Sequence, residues 1–175
     1  MTALTDAMTP WHEFYMLLGT ASATMVGLLF VAASVGSGVF TTDRPAALRV
    51  FLSASVVHFS SILTASLVVL APLRSELLFA VLILGCGLFG LAYSCLALRD
   101  TMRDGLSVRI AWDDRLWYMT LPIIAYLFET ASGALLAVRL DLGCVALALA
   151  VGILLVIGIH NAWDITVWSI TRPRD

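Results

Sequence analysis

The stretch LGCVALALAVGILLVIGIHNAW, Leu142 to Trp163, contains no Asp, Glu, Lys or Arg. As a helix it would rise ~33 Å, enough to cross the ~30 Å hydrocarbon core of a bilayer. A helix packed in a soluble protein keeps a charged face toward water, and this stretch has none to offer. Three further runs are equally free of charge: Phe14 to Thr42, Val50 to Leu73 and Leu77 to Leu98. A fourth, Leu116 to Val138, holds a single acid, Glu129. Five such runs predict an all-α membrane protein with five transmembrane helices, over about 14–40, 50–73, 77–98, 116–138 and 142–168. The runs are continuous, whereas barrel strands alternate in segments of about ten residues. The whole chain, 1–175, reads as one five-helix domain with no soluble domain.

Composition agrees. The chain is 61% hydrophobic and 13% charged, against roughly 25% charged in a soluble domain. Residues 1–12 carry no Lys or Arg, so the first run lacks the n-region of a cleavable signal and reads as a retained helix. All ten basic residues are arginine. In a five-span thread Arg44, Arg49, Arg99, Arg103, Arg109, Arg115, Arg172 and Arg174 fall on one side, and Arg74 and Arg139 on the other. Arginine-rich short loops stay cytoplasmic, which places the N-terminus outside and the C-terminus inside. No nucleic-acid patch is present, because the loop arginines are interleaved with Asp100, Asp104, Asp113 and Asp114. The partners expected are the lipid bilayer, a second copy of the chain or another membrane protein.

The links Asp43–Arg49, Arg74–Glu76 and Arg139–Asp141 are short, so consecutive spans are antiparallel neighbours. The one sizeable loop, Arg99 to Arg115, contains LSVRIAW, an alternating stretch suited to an extended interfacial segment. Aromatic residues mark the boundaries: Trp11, Phe14 and Tyr15 outside, Trp112, Trp117, Tyr118 and Trp168 inside. Rows of small residues mark helix contacts. They are Gly19, Ala23 and Gly27 in the first span, Cys86, Gly90 and Ser94 in the third, and Ala125, Glu129, Gly133 and Ala137 in the fourth. Cys86, Cys95 and Cys144 form no CxxC and read as packing residues.

Glu129 shares the small-residue row of the fourth span, so it should face protein. Intramembrane acids are costly, by about 2.5–3.5 kcal/mol on insertion scales, and tend to mark ion or proton paths. His58 in the second span and His160 in the fifth sit eight residues from their inner ends, hence level, with Glu129 one or two turns above. At 100° per residue His160, Asn161, Asp164 and Thr171 fall in one stripe. Pro122 removes an amide donor and can free the carbonyl of Tyr118. Three readings compete. One is a hydrogen-bond network that locks the bundle, drawing on Ser53, Ser55, Ser60, Ser61, Thr64 and Ser66. Another is a polar path for protons or ions through Glu129, His58, His160, Asp164 and Asn161. The third is a cofactor site: a b-type haem between His58 and His160, or a metal held by His160, Asp164 and Glu129. No cofactor is the simpler expectation.

Enzyme motifs are missing: there is no Gly-rich phosphate loop, HExxH or GxSxG. The stretch WHEFYMLLGTASATMVGLLFVAAS, Trp11 to Ser34, resembles a set of small, uncharacterised bacterial integral membrane proteins, with VVHFSSIL a looser likeness. The resemblance implies a multi-pass protein of the bacterial cytoplasmic membrane and no activity. The expected function is a small, oligomeric channel- or transporter-like protein. The opposing expectation is a non-catalytic accessory or regulatory subunit that binds another membrane protein.

Overall fold

The computed structural model describes residues 3–36, 45–103 and 115–171, and every regular element among them is helical. A short helix α1 (Ala3–Met8) and a 3-10 turn (Thr9–Trp11) precede α2 (His12–Gly36). Then come α3 (Pro45–Leu70), α4 (Glu76–Arg103), a π turn (Leu116–Thr120), α5 (Leu121–Leu136) and α6 (Leu140–Thr171). Four ranges are long and apolar enough to cross a membrane: Asp6–Ser34, Glu76–Asp100, Leu116–Leu136 and Leu140–Asp164. The fifth is the described apolar part of α3, Ala54–Leu70, within a helix that runs 26 residues from Pro45 to Leu70. Its C-terminal end stops at Leu70 because Pro72 drives Ala71 out of the helical region.

Local chemistry sets the other ends. Pro45 opens α3, where its missing N–H would be unpaired in any case. The Ser75 hydroxyl accepts from Leu78 N at 3.2 Å and caps the start of α4. Ser75→Ala is therefore expected to cost ~1 kcal/mol in reversible unfolding from mixed micelles, with the fold retained. Helix α4 runs on through Arg99 to Arg103, so the long loop is shorter than its composition suggests. The LSVRIAW segment and Trp112 lie outside the described residues. Pro122 cannot donate to the turn before it, and its ring crowds that carbonyl. The turn widens to the π form, with Leu121 N bonded to Leu116 O.

Helix α2 packs on α3, α3 on α4 and α6, and α5 on both α4 and α6. Between α4 and α5 the helices close on glycine. A Cβ at Gly87 would lie 2.5 Å from Thr130 N, and one at Gly133 2.5 Å from Leu84 N. At Gly90 a Cβ would strike the ring of Tyr126. Ala125, Glu129 and Gly133 are buried as their row predicts, while Ala137, at the end of that row, is exposed.

The small-residue row of α2 behaves otherwise. Gly19 is buried against Ser66, but Ala23 and Gly27 are exposed, and a Cβ at Gly27 would meet nothing within 4 Å. A row spaced by four drifts 40° per step round a helix. The buried face of α2 follows Tyr15, Leu18, Ser22 and Leu29 instead. Tyr15, expected among the interfacial aromatics, is likewise fully buried, while its neighbours Trp11 and Phe14 are partly exposed.

Candidate functional site

The buried face of α5 repeats at helical spacing: Pro122, Ala125, Tyr126, Glu129, Ser132, Gly133 and Leu136. It carries Tyr126 and Glu129 toward α3. There the Tyr126 hydroxyl lies 2.9 Å from His58 Nδ1. One turn outward, Ser61 Oγ donates to Glu129 Oε2 at 3.3 Å. Gly90 makes this possible, because its missing Cβ leaves the slot that the Tyr126 ring fills. Glu129 is 0% exposed. Its second oxygen, Oε1, has no hydrogen-bond partner among the described residues, nor has His58 Nε2. Ser132 is turned the other way, donating to the Glu129 carbonyl at 2.6 Å.

More buried polar atoms lie above and below this pair. Tyr15, within electrostatic reach of Glu129, has a hydroxyl without a partner among the described residues, as do Ser22, Ser55 and Ser66. Asn161 is fully buried with both side-chain polar atoms unpaired among the described residues. Register places it: a Cβ at Gly158 would meet the Phe59 ring at 2.8 Å, so Gly158 and Phe59 are level. Asn161 and Ser55 each lie about one turn inward of that contact.

The π turn builds the end of the bundle where α5 begins and α6 ends. It sets Trp117 flat on His160, centroids 3.8 Å apart and planes 7° from parallel. Tyr118 donates to Asp164 Oδ2 at 3.1 Å and reaches the Asn161 carbonyl at 3.4 Å. His160 and Asp164 are half-buried, and His160 Nδ1 is unpartnered among the described residues.

The candidate residues thus separate into two groups. His58 and Glu129 lie together between α3 and α5, while His160, Asn161 and Asp164 line the C-terminal part of α6. The two histidines are close in depth, since each lies one or two residues inward of the Gly158–Phe59 contact. Their rings have different partners, Tyr126 and Trp117. Among the described residues no three His, Cys, Asp or Glu converge to hold a metal. The expected metal trio fails on depth: Glu129 sits beside Ser61, whereas Asp164 lies one turn inward of His160. The side chains of Thr171 and Ser53 lie outside the described residues.

Ser55, Ser61 and Ser66 are buried or half-buried, and Thr64 is exposed, bonded to the Ser60 carbonyl at 2.8 Å. Tyr126, Tyr15, Ser22 and Ser132 are the polar residues that sequence reasoning missed. Tyr126 carried a signal, standing three residues before Glu129 on one helical face. Tyr126→Phe keeps the ring in its slot and strands the buried His58 Nδ1. A loss of ~1–3 kcal/mol is expected from unfolding titrations, since an orphaned buried group costs its desolvation.

Comparison with protein-family models, with curated proteins and with solved structures found no match. The functional reading therefore rests on the site itself.

Proposed function

We propose that the chain is a single five-span membrane bundle, N-terminus outside and C-terminus cytoplasmic, that passes protons or small cations along the inward face of α3. The observation that carries this reading is Glu129, fully buried, with one oxygen held only by Ser61 and the other unpartnered among the described residues. An acid facing the interior of a membrane bundle is costly, and such acids serve ion and proton movement.

The unpartnered atoms that flank it support a path. Ser66 and Tyr15 extend it outward, and His58 Nε2, Ser55 and Asn161 extend it inward. From Ser55 to Ser66 helix α3 rises ~16 Å, about half of the hydrocarbon core. Buried polar atoms are rarely unpaired, and water is their usual remaining partner. A file of water beside a carboxyl and an imidazole gives protons a route. Asp164 and Tyr118 stand at its inner end. A cavity of about 290 Å³ lined by His12, Arg74 and Val69 stands at the outer end. Val69 is one turn outward of Ser66, and His12 one turn outward of Tyr15.

The arginine bias supports the orientation, and the likeness of the first span supports a bacterial cytoplasmic membrane. A second reading, a non-conducting subunit of another membrane protein, is favoured by one observation: Ala23 and Gly27 turn their row outward on α2. Proton and cation flux in liposomes separates the two. Wild type is expected to conduct above protein-free vesicles and Glu129→Gln is not. Silence of both across ions and pH overturns the conducting reading, and a partner that co-purifies at fixed stoichiometry then favours the subunit.

A further inference from the structure

An apolar groove of about 550 Å³ runs along α6, walled by Trp11 and Phe14 at one end and by Trp117 and Leu121 at the other. Its floor follows one helical stripe from Val145 to Ile157, ~18 Å long. The groove is long and wide enough for one extended hydrocarbon chain.

Two further observations point to such an occupant. Gly152 lies in the middle of the floor, and a Cβ there would meet nothing within 4 Å. A glycine inside a helix weakens it relative to alanine, and packing among the described residues does not explain this one. The ends also differ in charge. Exposed Glu13 follows Trp11 at the outer end, while Arg115 stands two residues before Trp117 at the inner end. Arg115 Nε is buried without a hydrogen-bond partner among the described residues.

We propose that this groove holds one acyl chain of an anionic phospholipid of the inner leaflet, lying along α6 over Gly152, with its phosphate toward Arg115. Basic groups on the cytoplasmic side of membrane helices suit such head groups. Leucine at 152 would project into the space of the chain from a position where its Cβ meets nothing within 4 Å. The proposal rests on the membrane reading and is independent of conduction, because bound lipid and flux are separate readouts.

The test is native mass spectrometry of the full chain, delipidated in detergent and titrated with phosphatidylglycerol or phosphatidylcholine. One retained phosphatidylglycerol per chain is expected. Gly152→Leu should weaken retention at least tenfold, and Gly27→Leu, on an open face elsewhere, should not. Arg115→Gln should lower affinity for phosphatidylglycerol to that for phosphatidylcholine. If Gly152→Leu does not fold, Val156→Trp fills the same groove from its exposed rim. Equal lipid counts in wild type and the filled variants overturn the proposal. So does a filled variant that breaks an oligomer while leaving the lipid count unchanged, which would give the groove to a second copy.

Discussion

Gly133→Leu is expected to remove the folded protein from a detergent extract, while Gly27→Leu leaves it intact. Both glycines stand in small-residue rows at helical spacing. At Gly133 a Cβ would lie 2.5 Å from Leu84 N and 2.6 Å from Leu84 Cα, both backbone atoms of α4. A helix backbone cannot turn aside as a side chain can, so α4 and α5 must separate. Overpacking a tight contact costs about 1–3 kcal/mol or more, and leucine sits at the upper end. Separation also pulls Tyr126 from its slot at Gly90 and Thr130 from Gly87, along the same seam. At Gly27 nothing lies within 4 Å, and a change within about 0.5 kcal/mol is expected. Size-exclusion yield and the midpoint of thermal unfolding read the difference. Equal behaviour of the two variants would mean that α4 and α5 do not approach as closely as described.

Glu129→Gln is expected to lower flux at least about tenfold while leaving the fold in place. Glutamine matches the volume of the acid and still offers Ser61 an acceptor, so a stability change below about 1 kcal/mol is expected. What it removes is a group that binds and releases a proton. Ser61→Ala isolates the other contribution: the single hydrogen bond to Oε2 is lost and the carboxyl stays. It should conduct near wild type. A conducting Glu129→Gln protein, folded and at equal density in the vesicles, would confine the acid to a structural role.

Much of this architecture is readable in the chain. Charge-free length alone gives the long apolar helices, because runs of about 20 or more apolar residues suit helices that keep no face toward water. The inward direction of Glu129 follows from its place between Ala125 and Gly133, both buried. The level of His58 relative to Glu129 follows from the rise of a helix, and the Ser61 contact one turn outward agrees with it.

Other features depend on which helix lies opposite. Gly27 and Gly133 look alike in sequence, and only a neighbour distinguishes them. Tyr15 reads as an interfacial ring because it lies beside Trp11 and Phe14, yet it turns inward and they do not. The π turn has a local cause in Pro122, but its effect, Trp117 against His160, is a contact between residues 43 positions apart. Short α1 had no strong periodic signal; Leu4 and Met8 anchor it by burial.

Central to the account is water on the inward face of α3. Ser66 and Leu67 are adjacent, yet Ser66 is 1% exposed and faces the bundle, while Leu67 is 60% exposed and faces outward. Ser66→Cys and Leu67→Cys, each with the three native cysteines replaced, can be compared for reaction with a small water-soluble thiosulfonate in native membranes. Thiols react as thiolates, which form only where water reaches them. The account predicts that cysteine at 66 reacts at least about tenfold faster than cysteine at 67, as a hydrated file requires. Equal rates, or a slower reaction at 66, would contradict it and leave Glu129 a member of a dry, structural core.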